Sequence, residues 1–337
     1  MYCCKNCFHH SFLKDVIEKT ALSTGTCSFC ATTSEKIVEA SELAEYFDPL
    51  VNLYEQSTDG ILLSEVLHRD WFIFNSEKSP SLRGVLLSKI LGNDAFESLI
   101  VKSKFDNDSS YIERWERFKI ELQETNRFFP KEAIDPDRFK ELFDYLIMSE
   151  DKPKTWYRCR KSEDKIPYPI DKMGKPPKDK APDGRANPKG ISYFYGASNV
   201  LTAISETRPY KSELLSVGEF ILSEKAMMID LRDPKRTISP FGFDEDGLQS
   251  LFTQFMPFLN HLSASLSIPV LPTKKDFEYL PTQYLCEMIK DYGFHGIVFK
   301  SSLGDGDNIV MFDDSLLTGK SVVMYRNNNI TIDPVKL

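Results

Sequence analysis

The sequence GRANPKGISYFYGASNVLTAISETRPY, residues 184–210, contains the pattern that decides the fold assignment. Tyrosine and isoleucine alternate with other residues over 191–195, which is typical of a strand with one buried face. A polar cap, Ser198 or Asn199, then precedes the helical sequence VLTAISE, and Pro209 ends it. The stretch therefore predicts a strand that turns directly into a short helix.

The sequence around this stretch mixes strands and single helices. A proline- and lysine-rich run at 161–190 reads as a long loop. Downstream, 218–232 predicts strands with a turn and 282–294 predicts a helix that ends near a glycine. The segments 296–302 and 308–313 predict two strands joined by the glycine-rich loop LGDGD. Because helices and strands alternate irregularly, the predicted fold class is α+β.

The amino-terminal half has a different character. Residues 36–148 read as mainly helical, with helices expected at 41–55, at 109–129 and from Asp135-Pro136 onward. The predicted organisation has three segments: a zinc-ribbon-like segment at 1–35, a helical segment at 36–148 and a mixed domain at 152–337.

Composition limits the classes of function. The chain has 337 residues, 41% of them hydrophobic, and a formal net charge of −8. An acidic chain is a poor general binder of nucleic acid, because phosphate contacts need clustered lysine and arginine. No apolar run reaches the roughly 18 residues of a membrane-spanning helix. The sequence MYCCKNCFHH lacks the features of a secretory signal, so the expected compartment is the cytoplasm.

Four of the seven cysteines form two C-x2-C pairs separated by nineteen residues. This spacing predicts a closed, structural zinc site, with the ligands Cys4, Cys7, Cys27 and Cys30. Two other interpretations remain: unligated thiols in a short tail, or redox use. Cys3 is a substitute ligand of less usual spacing, and His9 and His10 are expected at the surface.

Glu206 is the most informative polar residue of the second half. Its helix carries small and apolar residues that indicate close packing, so a partly buried carboxylate is expected, and chemistry through a sugar cation would use it. The alternative is an exposed helix-end glutamate paired with Arg208. Arg158 in WYRCR, Tyr195 and the adjacent Ser301 and Ser302 are the other candidates.

The stretch 184–210 resembles the core of the RES domain family, which is named for Arg, Glu and Ser positions. The resemblance covers about 150–315. Arg158, Tyr195, Glu206 and Ser301 match the family's Arg, Tyr, Glu and Ser, and Arg160 and Ser302 are neighbours that the match does not separate from them. The amino-terminal half resembles the HEPN/RES amino-terminal domain. His68-Arg69 does not fit the HEPN nuclease motif, so no nuclease activity is assigned.

The resemblance implies an ADP-ribosyltransferase-like fold that binds NAD as a substrate and cleaves the bond between nicotinamide and ribose. It implies an NAD glycohydrolase or NAD phosphorylase, in many members a bacterial toxin with a separate antitoxin. Glu206 would stabilise the ribose cation and Tyr195 would stack on nicotinamide. Arg158 would pair with pyrophosphate, and Ser301 would bind the substrate or orient Glu206.

Other positions keep two interpretations. Arg185 and Asn187 either contact phosphate or fix their loop, and Ser302 is a further substrate-binding candidate. The lysines at 172, 175, 178 and 180 either attract anions or are simply solvated. No Rossmann or P-loop glycine motif occurs, so NAD is expected as substrate and not as a bound hydride carrier.

Two other functions also fit the sequence. One is mono-ADP-ribosylation of a protein. The other is a binding module without catalysis, in which the zinc ribbon and the basic loop recognise nucleic acid or protein. The sequence leaves open whether the acceptor is water, phosphate or a protein side chain, and which antitoxin or regulatory protein binds.

Overall fold

The computed structural model describes residues 1–132, 135–148, 153–268, 270 and 273–329. The chain forms two compact units, Met1–Ser110 with Ile238–Pro257, and Tyr111–Thr237 with Phe258–Leu337. The helices predicted after residue 110 thus group with the carboxy-terminal unit. The segments 1–35, 36–148 and 152–337 stay predictions, and the residues between 148 and 153, where the last boundary falls, lie outside the described ones.

Helices and strands are both well represented among the described residues, so the fold is α+β as predicted. The strands are β1 (Tyr2–Cys4), β2 (Ser23–Gly25), β3 (Glu35–Glu39), β4 (Tyr54–Leu62), β5 (Ile100–Ser103), β6 (Thr155–Ser162), β7 (Phe194–Ala197), β8 (Leu214–Leu222), β9 (Met228–Asp230), β10 (Gly296–Lys300), β11 (Asp307–Met311) and β12 (Leu317–Arg326). The α-helices are α1 (Ser11–Thr20), α2 (Ala44–Val51), α3 (Leu63–Trp71), α4 (Pro80–Ile90), α5 (Ser110–Ile120), α6 (Pro136–Asp144), α7 (Val200–Glu206), α8 (Pro234–Thr237), α9 (Glu245–Ser250), α10 (Met256–Ser267), α11 (Lys275–Glu278) and α12 (Leu280–Asp291). None of the described helices has the length and apolar character needed to cross a membrane.

The first unit contains two small antiparallel sheets. One has the order β1-β3-β2 and the other pairs β4 with β5. The stretch 36–148 is mainly helical as expected, although β3, β4 and β5 also lie within it. The helix predicted at 41–55 ends at Val51, and Tyr54 begins β4, where it pairs with Ser103. Tyr54 fits the helical spacing of apolar residues, but it is buried in a strand pair. The spacing alone does not distinguish these two cases.

The second unit is built on one seven-stranded mixed sheet. Its strand order is β12-β8-β6-β7-β11-β10-β9, in which β9 and β10 run parallel and the other neighbours run antiparallel. Strand β7 thus lies between β6 and β11. A cluster of buried side chains covers the middle of the sheet, with Trp156, Met173, Phe194, Phe220 and Ile309 among them.

Several predicted elements of this unit are confirmed with shifted ends. The helix expected at 109–129 is α5, continued by a π-helical turn over Glu121–Thr125. The side chain of Asp135 caps α6 by accepting a hydrogen bond from the Asp137 N–H. Helix α12 ends before Gly293, whose φ of 89° suits glycine.

The proline-rich stretch is a long loop, as predicted, but it begins only after β6. Between Ser162 and Phe194 it contains two short 3-10 turns, Ile170–Lys172 and Lys178–Lys180. Met173 anchors it, since this side chain is fully buried in the core of the sheet.

Candidate active site

A cleft of about 490 Å³ opens in the second unit beside β7 and α7. This volume falls within the range of about 300–1,000 Å³ that is usual for small-molecule sites. The lining includes six predicted site residues, Arg158, Arg185, Asn187, Tyr195, Glu206 and Ser302. The cleft therefore gathers residues that lie up to 144 positions apart in the sequence.

Glu206 is the last residue of α7, which the side chain of Asn199 caps by accepting a hydrogen bond from the Thr202 N–H at 2.8 Å. Two donors converge on one of its carboxylate oxygens. Ser301 Oγ and Asn308 Nδ2 each donate to Glu206 Oε1 at 2.7 Å. Among the described residues, no donor reaches the second oxygen, Oε2.

The predicted burial of Glu206 is wrong, because this residue is exposed. The small residues of α7 indicated correctly that the helix packs against the domain, since Thr202 and Ala203 are buried. However, the helix ends at Glu206, so its side chain reaches the open cleft. The alternative of a surface pair with Arg208 is not found within the described part of the chain, where Ser301 and Asn308 take that place.

Ser301 has contacts that Ser302 lacks. Its hydroxyl donates to Glu206 and accepts a hydrogen bond from the Leu303 N–H at 3.0 Å. Ser302 is exposed at the rim of the cleft. The geometry thus supports orientation of Glu206 as the role of Ser301 and leaves Ser302 as a candidate for substrate contact.

Arg158 lies beside the cleft in β6, and its terminal nitrogen donates to the Tyr195 carbonyl oxygen at 2.9 Å. Its guanidinium also lies over the ring of Phe194. Burial lowers the pKa of Arg158 to about 10, so it is still cationic at neutral pH. Arg160 instead binds the Lys172 carbonyl oxygen and lies over Tyr168, and it does not line the cleft.

The tyrosines differ from the predicted strand. The strand expected at 191–195 begins only at Phe194, so Tyr195 lies inside β7 and Tyr193 precedes it. The Tyr195 hydroxyl donates to Asn187 Oδ1 at 2.6 Å and accepts from the Ala186 N–H at 3.1 Å. Burial raises the pKa of the Tyr195 phenol, so this hydroxyl stays protonated at neutral pH.

Asn187 and Arg185 both form hydrogen bonds to backbone carbonyl oxygens of the protein itself. Asn187 Nδ2 donates to the carbonyl oxygens of Pro182, Pro188 and Ile191. Arg185 donates to the carbonyl oxygen of Ile268 at 2.7 Å, and burial lowers its pKa. These contacts favour the loop-fixing interpretation for Asn187, whereas the Arg185 guanidinium also borders the cleft.

The loop lysines contribute little to the cleft. Lys175 forms ion pairs with Asp313 and Asp314. The other three are exposed, and none of the four lines the cleft. The solvated interpretation therefore fits Lys172, Lys178 and Lys180 better.

Asn308 and Arg208 were not among the predicted site residues. Asn308 is the first residue of the predicted strand NIVMFD, and no local signal links it to Glu206. Arg208 lines the cleft and has a left-handed backbone, with a φ of 46°. Non-glycine residues rarely adopt this conformation, and it often accompanies function.

The four predicted zinc ligands lie together in the first unit. Their sulfur atoms are all within 4.8 Å of one another, with Cys4 and Cys30 3.5 Å apart and Cys7 and Cys27 3.4 Å apart. Thiolates around a tetrahedral zinc ion, at about 2.3 Å from the metal, lie about 3.8 Å apart. The donor set therefore fits zinc. Cys3 is buried outside this cluster, and His10 is buried as well, which corrects its expected surface position.

Comparisons with known proteins bear on the second unit. The family model described as RES domain matches residues 155–327, just over half of the chain. A solved structure, of the M. tuberculosis MbcT-MbcA toxin-antitoxin complex, is similar with 11% sequence identity over 57% of this chain and 94% of that chain. Its TM-score of 0.34 is too low to support an argument about topology. No curated protein matches the chain.

Proposed function

The chain belongs to the RES domain family, and from this premise we propose that its cleft binds NAD and cleaves the bond between nicotinamide and ribose. The observation that carries the proposal is the state of Glu206. Ser301 and Asn308 hold one carboxylate oxygen, and the other has no donor among the described residues. A carboxylate held in this way can accept a hydrogen bond from a ribose hydroxyl and can stabilise a developing positive charge.

The charge of the cleft suits a dinucleotide. Five cationic side chains and two acidic ones line it, in a chain whose net charge is −8. The cations are Arg158, Arg185, Arg208, Lys275 and Lys300, and the acids are Asp183 and Glu206. Since Lys275 pairs with Asp183 at 3.1 Å, the arginines and Lys300 are left to balance the pyrophosphate.

The proposed chemistry needs no acid for the leaving group. When the glycosidic bond breaks, its electron pair moves to the ring nitrogen of nicotinamide, which leaves as a neutral molecule. The ribose carbon becomes cationic, and Glu206 stabilises it electrostatically while Oε2 accepts a ribose hydroxyl. Phosphate then adds to the cation, or water adds and releases a proton to the solvent, so the enzyme is an NAD phosphorylase or an NAD glycohydrolase.

Tyr195 and Arg158 have supporting roles in this proposal. The ring of Tyr195 stacks on nicotinamide while its hydroxyl holds the 186–187 turn. One terminal nitrogen of Arg158 donates to the Tyr195 carbonyl oxygen. The guanidinium N–H groups that do not take part in this bond donate to a pyrophosphate oxygen. Arg185, Arg208 and Ser302 complete the substrate contacts.

The remaining proposals concern the rest of the chain. Cys4, Cys7, Cys27 and Cys30 hold a structural zinc ion. The resemblance to HEPN/RES amino-terminal domains, the action as a toxin or defence effector, an antitoxin or regulatory partner and a cytoplasmic location stay predictions of the sequence.

The test is incubation of the purified protein with NAD, with nicotinamide and ADP-ribose products quantified. We expect the wild type to release nicotinamide and Glu206→Gln to lose at least about a hundredfold in rate, as for other electrostatic groups at a reacting centre. The matched control is Glu224→Gln, which removes an exposed partner of Lys154. Equal rates for wild type and Glu206→Gln would contradict the assignment. Release that requires an added protein acceptor would identify a transferase instead.

A further inference from the structure

We propose that Asn308 is a positioning residue, which together with Ser301 presents one defined oxygen of Glu206 to the substrate. This inference rests on the proposed cleavage of NAD. It assigns a function to a residue outside the Arg, Tyr, Glu and Ser pattern that the sequence revealed.

The sheet brings Asn308 to Glu206. In the antiparallel register Asn308 lies opposite Ala197 of β7 on one side and opposite Phe299 of β10 on the other. Asn308 is therefore a residue of a strand flanked by two strands, and its backbone is fixed. From there its side-chain amide reaches Glu206 Oε1 at 2.7 Å, across 102 positions of sequence.

Asn308 Oδ1 is buried and has no hydrogen-bond partner within the described part of the chain. Rotating the amide by 180° would turn Oδ1 toward the carboxylate and produce repulsion, so the observed orientation is the favourable one. A buried polar atom without a partner destabilises a protein, and such atoms call for an explanation. The one side-chain hydrogen bond of Asn308 within the described residues goes to Glu206.

Two donors fix a carboxylate better than one. Ser301 lies at the start of the glycine-containing loop between β10 and β11, whereas Asn308 lies within β11. With both on Oε1, the carboxylate plane is defined and Oε2 is left to accept a hydrogen bond from the substrate. Side chains on regular elements position a reacting group more accurately than side chains on loops.

The experiment uses Asn308→Leu, a substitution of nearly equal shape without polar atoms. The change removes the donor to Glu206 and also the unpaired Oδ1. We expect kcat for nicotinamide release to fall by about tenfold to a hundredfold, the usual effect of one hydrogen bond to a charged group, with the KM for NAD nearly unchanged. The melting temperature should stay at or above that of the wild type, because replacing an unpaired buried polar atom by an apolar one favours folding.

Asn308→Asp is the second variant, since it keeps the shape and exchanges the donor for a carboxylate that repels Glu206. It should be less active than Asn308→Leu. The matched control is Asn126→Leu, which removes a 2.6 Å side-chain bond to the Phe129 carbonyl oxygen outside the cleft and should keep the wild-type kcat.

The outcomes distinguish a failure of the Asn308 role from a failure of the proposed function. An active wild type with Asn308→Leu and Asn308→Asp equally active would overturn the role of Asn308 and leave the proposed function intact. A fall in melting temperature for both variants, with kcat per folded molecule unchanged, would assign a structural role and overturn it as well. A wild type that releases no nicotinamide would overturn both proposals.

Discussion

Tyr195 and Tyr193 are two residues apart, yet their hydroxyl groups have opposite surroundings. The Tyr195 hydroxyl has two partners, Asn187 Oδ1 and the Ala186 N–H. The Tyr193 hydroxyl is buried and has no partner in the described part of the chain. The same atom therefore stabilises the fold at one position and costs free energy at the other.

Removing each hydroxyl tests this contrast. Tyr195→Phe should lower the free energy of unfolding by about 1–3 kcal/mol, because it leaves the buried Asn187 side-chain oxygen without its donor. Tyr193→Phe should be neutral or stabilising. At temperatures where they are folded, both variants should still release nicotinamide, since stacking needs the ring and not the hydroxyl. Denaturant unfolding and product assays on the two variants check it, and equal destabilisation would refute the contrast.

Sequence predicted residues of the cleft better than their contacts. Tyr195 and Glu206 line one cleft, and they were predictable because the strand and helix patterns of 184–210 are local. Arg158, which lines the same cleft, lies outside that stretch and was predicted from the family resemblance. The hydrogen bond between Glu206 and Asn308 depends on strand register across the sheet, which no local pattern encodes. The exposure of Glu206 was missed for a related reason: composition indicates that a helix packs, but not where its last side chain points.

At the scale of elements, strand–helix junctions were predictable and strand ends were not. The order of β7 and α7 follows from alternation, a cap and a proline within one short stretch. The start of β7 depends on its partner, since Ile191 closes a turn with the Pro188 carbonyl oxygen before pairing with β11 begins. In the first unit, β4 was hidden for the same reason, because its partner β5 is distant in sequence.

A histidine, His10, caps the amino terminus of helix α1. His10 Nδ1 accepts a hydrogen bond from the Phe12 N–H, and the ring packs edge-on against Phe241. Burial lowers the pKa of His10 from 6.5 to about 4. The unfolded chain therefore binds this proton at a higher pH than the folded chain does.

The free energy of unfolding of the first unit should accordingly fall as the pH drops from about 6.5 to about 4, by up to about 3 kcal/mol from this residue alone. The contribution is complete above pH 6.5. His10→Asn keeps a capping oxygen without a titrating group, so its loss of stability over the same window should be smaller. Denaturant unfolding at a series of pH values measures both, and parallel curves would exclude His10 as the cause.

At the scale of the whole molecule, the two proposed functions of the chain lie in separate compact units. The cysteine cluster belongs to Met1–Ser110, and every residue that lines the cleft belongs to the second unit. The α+β class followed from the sequence, since it needs only the kinds of elements present. The grouping of α5 and α6 with the second unit did not, because it depends on contacts between distant parts of the chain.

Because the cysteine cluster and the cleft lie in separate units, metal loss and NAD cleavage can be tested independently. The wild-type protein should contain about one zinc ion per chain, because four thiolates complete one closed tetrahedral shell. A Cys4→Ser, Cys27→Ser double variant should lose the metal, and the first unit should unfold at lower denaturant concentration, since zinc binding contributes directly to folding. Cys3→Ser and Cys159→Ser, which change cysteines outside the cluster, should retain the metal.

Nicotinamide release should survive in the double variant, because the cleft contains no residue of the cysteine cluster. Elemental analysis and product assays on the same preparations decide the matter: full zinc occupancy in the double variant would eliminate the site. Zinc loss from Cys3→Ser alone would identify Cys3 as a ligand, and a loss of NAD cleavage together with the metal would show that catalysis depends on the first unit.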